Sequence, residues 1–282
     1  MEAVEPPEPL TSADFAAVRG HPLFRETVRA HVAENRAHYA GLPTIERWMM
    51  SDLGRTALSG ASVCLAAVSR LTLAQLVAST LRTGASSRGR ARFYLNRAIA
   101  NGLVFCDGPL TPEAPLRVSE RFVRVAGQVL DPGVPAVARL APEVAPASAL
   151  LDDMGFRYRM AVWLGLLVDT RPEMFPAAGA PIHLFQARDG GWRMLEELIL
   201  RQPPGSERLL GDCDVSGLAL ARASLCSRRH VARLFSDGEA LGLMHHADGR
   251  LTVSQALSDD VELYYARLYA ILRTAALAVM PT

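Results

Sequence analysis

The chain has 282 residues, 50% of them hydrophobic and 21% charged, with a formal net charge of +1. That length can bury two cores of ordinary size, and the composition belongs to a globular protein, not to a disordered tail or a bilayer span. All 30 basic residues are arginine, which GC-rich codons explain, so arginine usage by itself gives no support to nucleic-acid binding.

Residues 1–43 read as a leader and an arm helix. The opening MEAVEPPEPL is acidic and proline-rich, unlike a signal peptide, so a cytoplasmic location is expected. TSAD at Thr11 is a capping box for a short helix. From Phe24 to Tyr39 the pattern is helical, with Phe24, Val28, Ala30, His31 and Val32 near one side. That suits an arm packed on a neighbouring domain or on a second chain. Gly41 to Pro43 break it.

Residues 44–120 form a first unit. IERWMM and the run from Leu53 to Val68 supply one long helix or a pair. LTLAQLVASTL, from Leu71, is a second helix that turns Leu73, Leu76 and Val77 inward, and Gly84-Ala85 make a turn. Ser87 then opens SRGRARFYLNRAIANGLV. Serine accepts a free N–H of the first helical turn, and Gly102 supplies the left-handed stop. Ala91, Tyr94, Leu95 and Ala98 form one apolar stripe at helical spacing. Arg88, Arg90, Arg92 and Arg97 occupy the other face without an acid among them. Leu103 to Phe105, Asp107-Gly108 and Leu116 to Val118 read as a hairpin, loosened by Pro109 and Pro112.

Residues 121–186 are a helical connector, too apolar for a flexible linker. Phe122–Leu130, Ala147–Asp153 and Tyr158–Asp169 are its helical candidates. Residues 131–146 are proline-rich and show no dependable period. The apolar run Ala161 to Val168 is too short to span a bilayer.

Residues 187–282 repeat the first design. Gly190-Gly191 lead into a first helix at Trp192–Leu200, and Val215–Ala223 is a second. SRRHVARLFSDGEALGLM, from Ser227 to Met244, is the third. Val231, Leu234, Phe235 and Gly238 stand where the earlier stripe stood, and Arg228, Arg229, His230 and Arg233 make the basic face. A tight hairpin with Asp248-Gly249 at its tip carries Arg250, which can reach phosphate or a minor groove, or stay solvated. A last helix, Ser258 to Met280, has a stripe of Leu263, Tyr264, Leu268, Ile271, Leu272 and Ala275. It either covers the core or pairs with its mate in a homodimer.

Little points to an active site. GxSxG, GxGxxG and HExxH are absent, and without lysine there is no phosphate-loop lysine. Cys64, Cys106, Cys213 and Cys226 lack CxxC spacing and read as free thiols. His245-His246 alternate across a strand, a poor metal pair. Asp152-Asp153, Glu196-Glu197 and Asp259-Asp260 are expected at helix ends or surfaces, the last at a helix N-terminus. No catalytic residue, metal or cofactor is assigned.

Ser86 to Arg97 and Arg222 to Arg233 each hold four arginines and no acid, and arginine forks match guanine edges and phosphates. "LTLAQLVASTLRTGASSRGRARFYLNRAIANGLV" and "VSGLALARASLCSRRHVARLFSDGEALGLM" resemble the DNA-binding unit of bacterial winged-helix transcription regulators of the MarR or GntR kind. The resemblance covers about half the chain. It implies a mainly α fold with small β-hairpin wings, here as two helix-turn-helix units joined by a helical middle region. It also implies duplex DNA as partner, with Ser87 and Ser227 opening the recognition helices and Arg88, Arg90, Arg92, Arg228, Arg229 and Arg233 meeting the DNA; the basic faces add Arg97 and His230 as candidate contacts, and the second hairpin adds Arg250. Such regulators usually carry one unit per chain and dimerise, whereas this chain carries two. A small-molecule effector pocket lined by Phe156, Tyr158, Met160, Trp163 and Trp192 is a further expectation, against plain core packing. The other readings are an interaction module in a protein assembly and, more narrowly, a plasmid replication initiator.

Overall fold

A computed structural model describes residues 10–82, 86–170, 176, 179–186, 188 and 190–281; the expected leader over 1–9 and the turn at Gly84-Ala85 lie outside them. Helices dominate, with small antiparallel sheets. Among the described residues no helix is long and apolar enough to cross a membrane.

Helix α1 (Ser12–Arg19) begins at the expected capping box, in which Thr11 N donates to Asp14 Oδ2 at 2.7 Å. Helix α2 (Phe24–Gly41) buries Phe24, Thr27, Val28, His31 and Val32. It packs on two later helices of its own chain, α8 (Leu130–Leu140) and α12 (Gly191–Leu200). The arm thus serves its own chain.

The first unit opens with a pair of helices, α3 (Thr44–Met49) and α4 (Leu53–Val68), the second capped by Asp52 Oδ1, which accepts from Arg55 N at 3.0 Å. Helices α5 (Leu73–Arg82) and α6 (Arg88–Ala100) follow, then strands β1 (Val104–Cys106) and β2 (Leu116–Val118), antiparallel with Val104 opposite Val118. Leu58, Leu76, Tyr94, Leu95 and Leu103 close a core that also takes Phe122 from α7 (Glu120–Ala126).

Most of the proline-rich segment that lacked a readable period is helix. Pro132 falls in the first turn of α8, where backbone N–H groups have no intrahelical acceptor to lose. Pro135 lies inside the helix, and burial of Leu130, Val134 and Val137 at helical spacing offsets its missing bond. After α9 (Ala145–Ala149) comes α10 (Met154–Thr170). Asp153 precedes it and accepts from Gly155 N at 2.7 Å.

The connector ends with α11 (His183–Gln186), and the second unit contains α12, β3 (Cys213–Asp214), α13 (Gly217–Ala223), α14 (Arg228–Ala240), β4 (Met244–Ala247) and β5 (Arg250–Val253). Its sheet runs β3-β5-β4, all antiparallel. Strand β3 was not expected, because two residues carry no period. Between β4 and β5, Asp248 and Gly249 both adopt positive φ (50° and 79°), the geometry of a tight hairpin turn.

Helix α15 (Gln255–Val279) ends the chain and buries Tyr265, Ala266, Tyr269, Ile271, Leu272 and Ala275 against α1, α8 and α10. Its buried face is offset from the expected stripe: Leu263, Tyr264 and Leu268 are only half-buried. The helix covers this chain's own core.

Two acidic pairs do other work than expected. Glu196 and Glu197 are buried, not superficial: Glu196 pairs with Arg193 at 2.5 Å, and Glu197 with Arg36 and with Arg201. Asp259 and Asp260 sit past the start of α15. The first pairs with Arg19, and the second accepts Ile182 N at 2.8 Å.

Candidate nucleic-acid interface

The two arginine helices are built alike to the level of single hydrogen bonds. Ser87 Oγ accepts from Arg90 N at 3.3 Å and Ser227 Oγ from His230 N at 3.2 Å. Gly102 and Gly242 stop the helices at φ 67° and 66°, where a side chain would be strained. Leu103 N then donates to Ala98 O at 3.0 Å, and Leu243 N to Gly238 O at 2.8 Å. Past the hairpins, Ser119 N returns to Leu103 O at 3.0 Å and Ser254 N to Leu243 O at 2.9 Å. Both serines cap the next helix, α7 or α15. The third strand of the second sheet has a one-residue counterpart, Leu71 O, which accepts from Leu116 N at 2.9 Å.

The two apolar stripes lie where spacing placed them. Ala91, Tyr94, Leu95 and Ala98 are buried in α6, and Val231, Leu234, Phe235 and Gly238 in α14.

The basic faces differ. In α6, Arg88 and Arg92 are exposed and have no ion pair among the described residues. Arg90 is half-buried and pairs with Asp52, itself buried at the head of α4. Arg97 lies over the Trp48 ring, 4.3 Å from its centroid, with Arg55 also on that ring at 4.6 Å. Sequence spacing missed this anchoring because both partners lie outside the helix. Trp48 also meets exposed Phe93 edge to face at 5.8 Å.

In α14, Arg228, Arg229, His230 and Arg233 are all exposed. Arg233 lies 3.8 Å from Asp237, a solvated i,i+4 pair of small worth. His230 Nδ1 is 3.1 Å from the Ser227 hydroxyl. At the hairpin, Arg250 is exposed, 3.7 Å from exposed Asp214. In the first hairpin, Arg117 pairs with Asp107 at 2.9 Å.

One feature of α14 carried no sequence signal. Leu225, in the turn before it, has φ 54° and is 70% exposed. Left-handed backbone is costly for a bulky side chain, and burial does not compensate it here. Leu218 of α13 and Leu241 at the end of α14 are exposed too.

The histidine pair is spent on structure. His246 stacks on Phe235 at 4.3 Å and its Nε2 meets Val215 O at 2.8 Å, while His245 Nδ1 meets Glu239 at 2.5 Å. The expected effector residues divide between the two cores. Phe156, Met160 and Trp163 are buried in one core, and Tyr158 packs against the other. Trp192 lines a cleft.

No protein-family model matches the chain, and no curated protein or solved structure matches it either.

Proposed function

We propose that the chain is a DNA-binding transcriptional regulator of the cytoplasm, built from two winged-helix units over residues 44–120 and 187–282. In this reading α6 and α14 are the recognition helices. Arg88, Arg92, Arg228, Arg229, His230 and Arg233 reach base edges and phosphates, and Arg250 reaches the backbone beside the hairpin. Arg90 and Arg97 act as positioning residues, since Asp52 and Trp48 hold them.

The observation that carries the reading is that exposed arginines crown two helices closed by the same set of hydrogen bonds. Arg88, Arg92, Arg228 and Arg229 face solvent with no ion pair among the described residues, ready to replace counterions at phosphates. One chain then offers what a dimer offers elsewhere, two helices for half-sites about one helical turn apart, ~34 Å. Gly89 stands against Arg229, and Arg90 against His230, so the site is expected to be an imperfect repeat.

Fluorescence anisotropy with mixed-sequence duplex DNA over a salt series tests this. Wild type should lose affinity steeply as salt rises. Arg92→Ala/Arg228→Ala should flatten the log–log slope by about two, near one per lost phosphate contact. Absence of binding at low salt, or an unchanged slope in the double variant, would refute the DNA reading. The exposed Leu218, Leu225 and Leu241 favour a second reading, an interaction module in an assembly. A Leu225→Asp variant that binds DNA normally but loses a co-purifying partner would support it.

A further inference from the structure

Between the two cores runs a cleft walled by α2, α12 and α15 on one side, and by the α3–α4 junction and the α7–α8 turn on the other. Seams between packed bodies are common sites for small ligands. The cleft offers about 90 Å³ to water-sized occupants. One water needs ~10–15 Å³ of such space, so the cleft is well above that threshold. Because the cleft opens to solvent, a single small ring can seat part-way in it.

Its walls state what such a ring must carry. Trp192 and Tyr264 meet at 4.9 Å between centroids, and Tyr265 lies 6.0 Å from Trp192. Aromatic faces and edges of this kind suit a flat guest. Gln128 is 6% exposed, and its Nε2 donates to Glu46 Oε2 at 3.2 Å. A carboxylate only accepts, so the amide orientation is settled and Oε1 is left an acceptor without a partner. Arg193 is 9% exposed, lies over Tyr39 at 3.7 Å and pairs with Glu196, yet its Nε–H has no acceptor. A buried polar group left unpaired is unfavourable, and an incoming partner relieves it.

Charge narrows the guest further. Arg193 already faces Glu196, and Asp52, on the opposite wall, is held by Arg55 and Arg90. A charged guest would lose its hydration and find each of these charges already matched. We propose that this cleft binds a small neutral aromatic compound with both an N–H donor and a carbonyl acceptor, an aromatic amide or a free nucleobase. The donor meets Gln128 Oε1 and the acceptor meets Arg193 Nε–H. Asp52 lines the same cleft and holds Arg90 of α6, so the site and the first arginine helix share a residue. Binding itself does not depend on what α6 contacts.

Ligand-observed saturation-transfer NMR and calorimetric titration of the full chain, without DNA, test the proposal. The probes are benzamide and thymine, with benzoate and benzylamine as charged counterparts. Saturable binding of benzamide or thymine is expected, with both charged probes at least about tenfold weaker. Gln128→Leu should weaken the neutral probe about tenfold by removing one hydrogen bond. Leu268→Trp should abolish binding by filling the cleft. Circular dichroism and melting of each variant establish that it folds; if Leu268→Trp does not, Gln128→Leu still decides. The proposal is overturned if neither neutral probe binds saturably, if a charged probe binds as tightly, or if folded Gln128→Leu binds like wild type.

Discussion

His31 shows how one buried residue ties stability to pH. It sits between α2 and α15, with Nδ1 3.0 Å from the Tyr269 hydroxyl and its ring stacked on that tyrosine at 5.6 Å. Burial disfavours the imidazolium and pushes its pKa down to about 4. The unfolded chain takes up that proton near pH 6.5. Between these values the unfolded state binds more protons, so stability rises with pH. The contribution is complete above about pH 6.5 and is lost as pH falls toward 4, a total of about 3 kcal/mol. Urea unfolding at pH 7, 6 and 5 should therefore show a shallower acid loss in His31→Gln than in wild type. Equal losses would rule the assignment out. At this scale the sequence was legible where partners are local: Ser87, Ser227 and Thr11 cap the helices they precede. The partners of Arg90, Arg97, Glu196 and Glu197 left no local signal, because Asp52, Trp48, Asn35 and Arg36 come from other elements.

Among the elements, the repeated helix and strand show a compensating exchange of size. Where the first copy has Ala98 and Val104, the second has Gly238 and Met244, all of them buried. A Cβ on Gly238 would stand 2.5 Å from Met244 Cγ and 3.1 Å from Leu184 Cδ2. The larger Met244 thus occupies the space that the missing methyl leaves. Gly238→Ala should overpack this contact and destabilise by about 1–3 kcal/mol, although alanine favours the helix by roughly 1 kcal/mol. Gly238→Ala/Met244→Val, which imports the first copy's pair, should recover most of the loss in a thermal melt. A double variant no better than the single one would show that the two positions are not coupled. Period identified the two basic helices and the long terminal helix. It failed at α8, where prolines read as breakers, and at β3, which is too short to have a period.

For the molecule as a whole, α10 joins the two cores. It gives Ala161 and Val162 to the first, and Phe156, Met160, Trp163 and Leu167 to the second. Gly165 lets it approach α4 so closely that a Cβ there would collide with Cys64 Cβ. Elements that share a core lose their packing together, so thermal unfolding should be one cooperative transition. Trp48 belongs to the first core, and Trp163 and Trp192 to the second. Melts followed by fluorescence in Trp163→Phe/Trp192→Phe and in Trp48→Phe should, after correction for each variant's own stability by circular dichroism, track the same transition. Two separated transitions within one variant would show that the cores unfold independently.

The amino-acid sequence by itself determined the helical class, the duplicated basic helix with its serine start and glycine stop, and which residues of those two basic helices turn inward. These follow from caps, backbone freedom and period, all of which act over a few neighbouring residues. Only the tertiary structure decided which arginines stay exposed, where the cleft lies, and that the middle region is split between two cores. Those outcomes rest on residues far apart in the chain, such as Asp52 with Arg90 and Gln128 with Glu46. Local spacing carries no record of such contacts, because packing creates them.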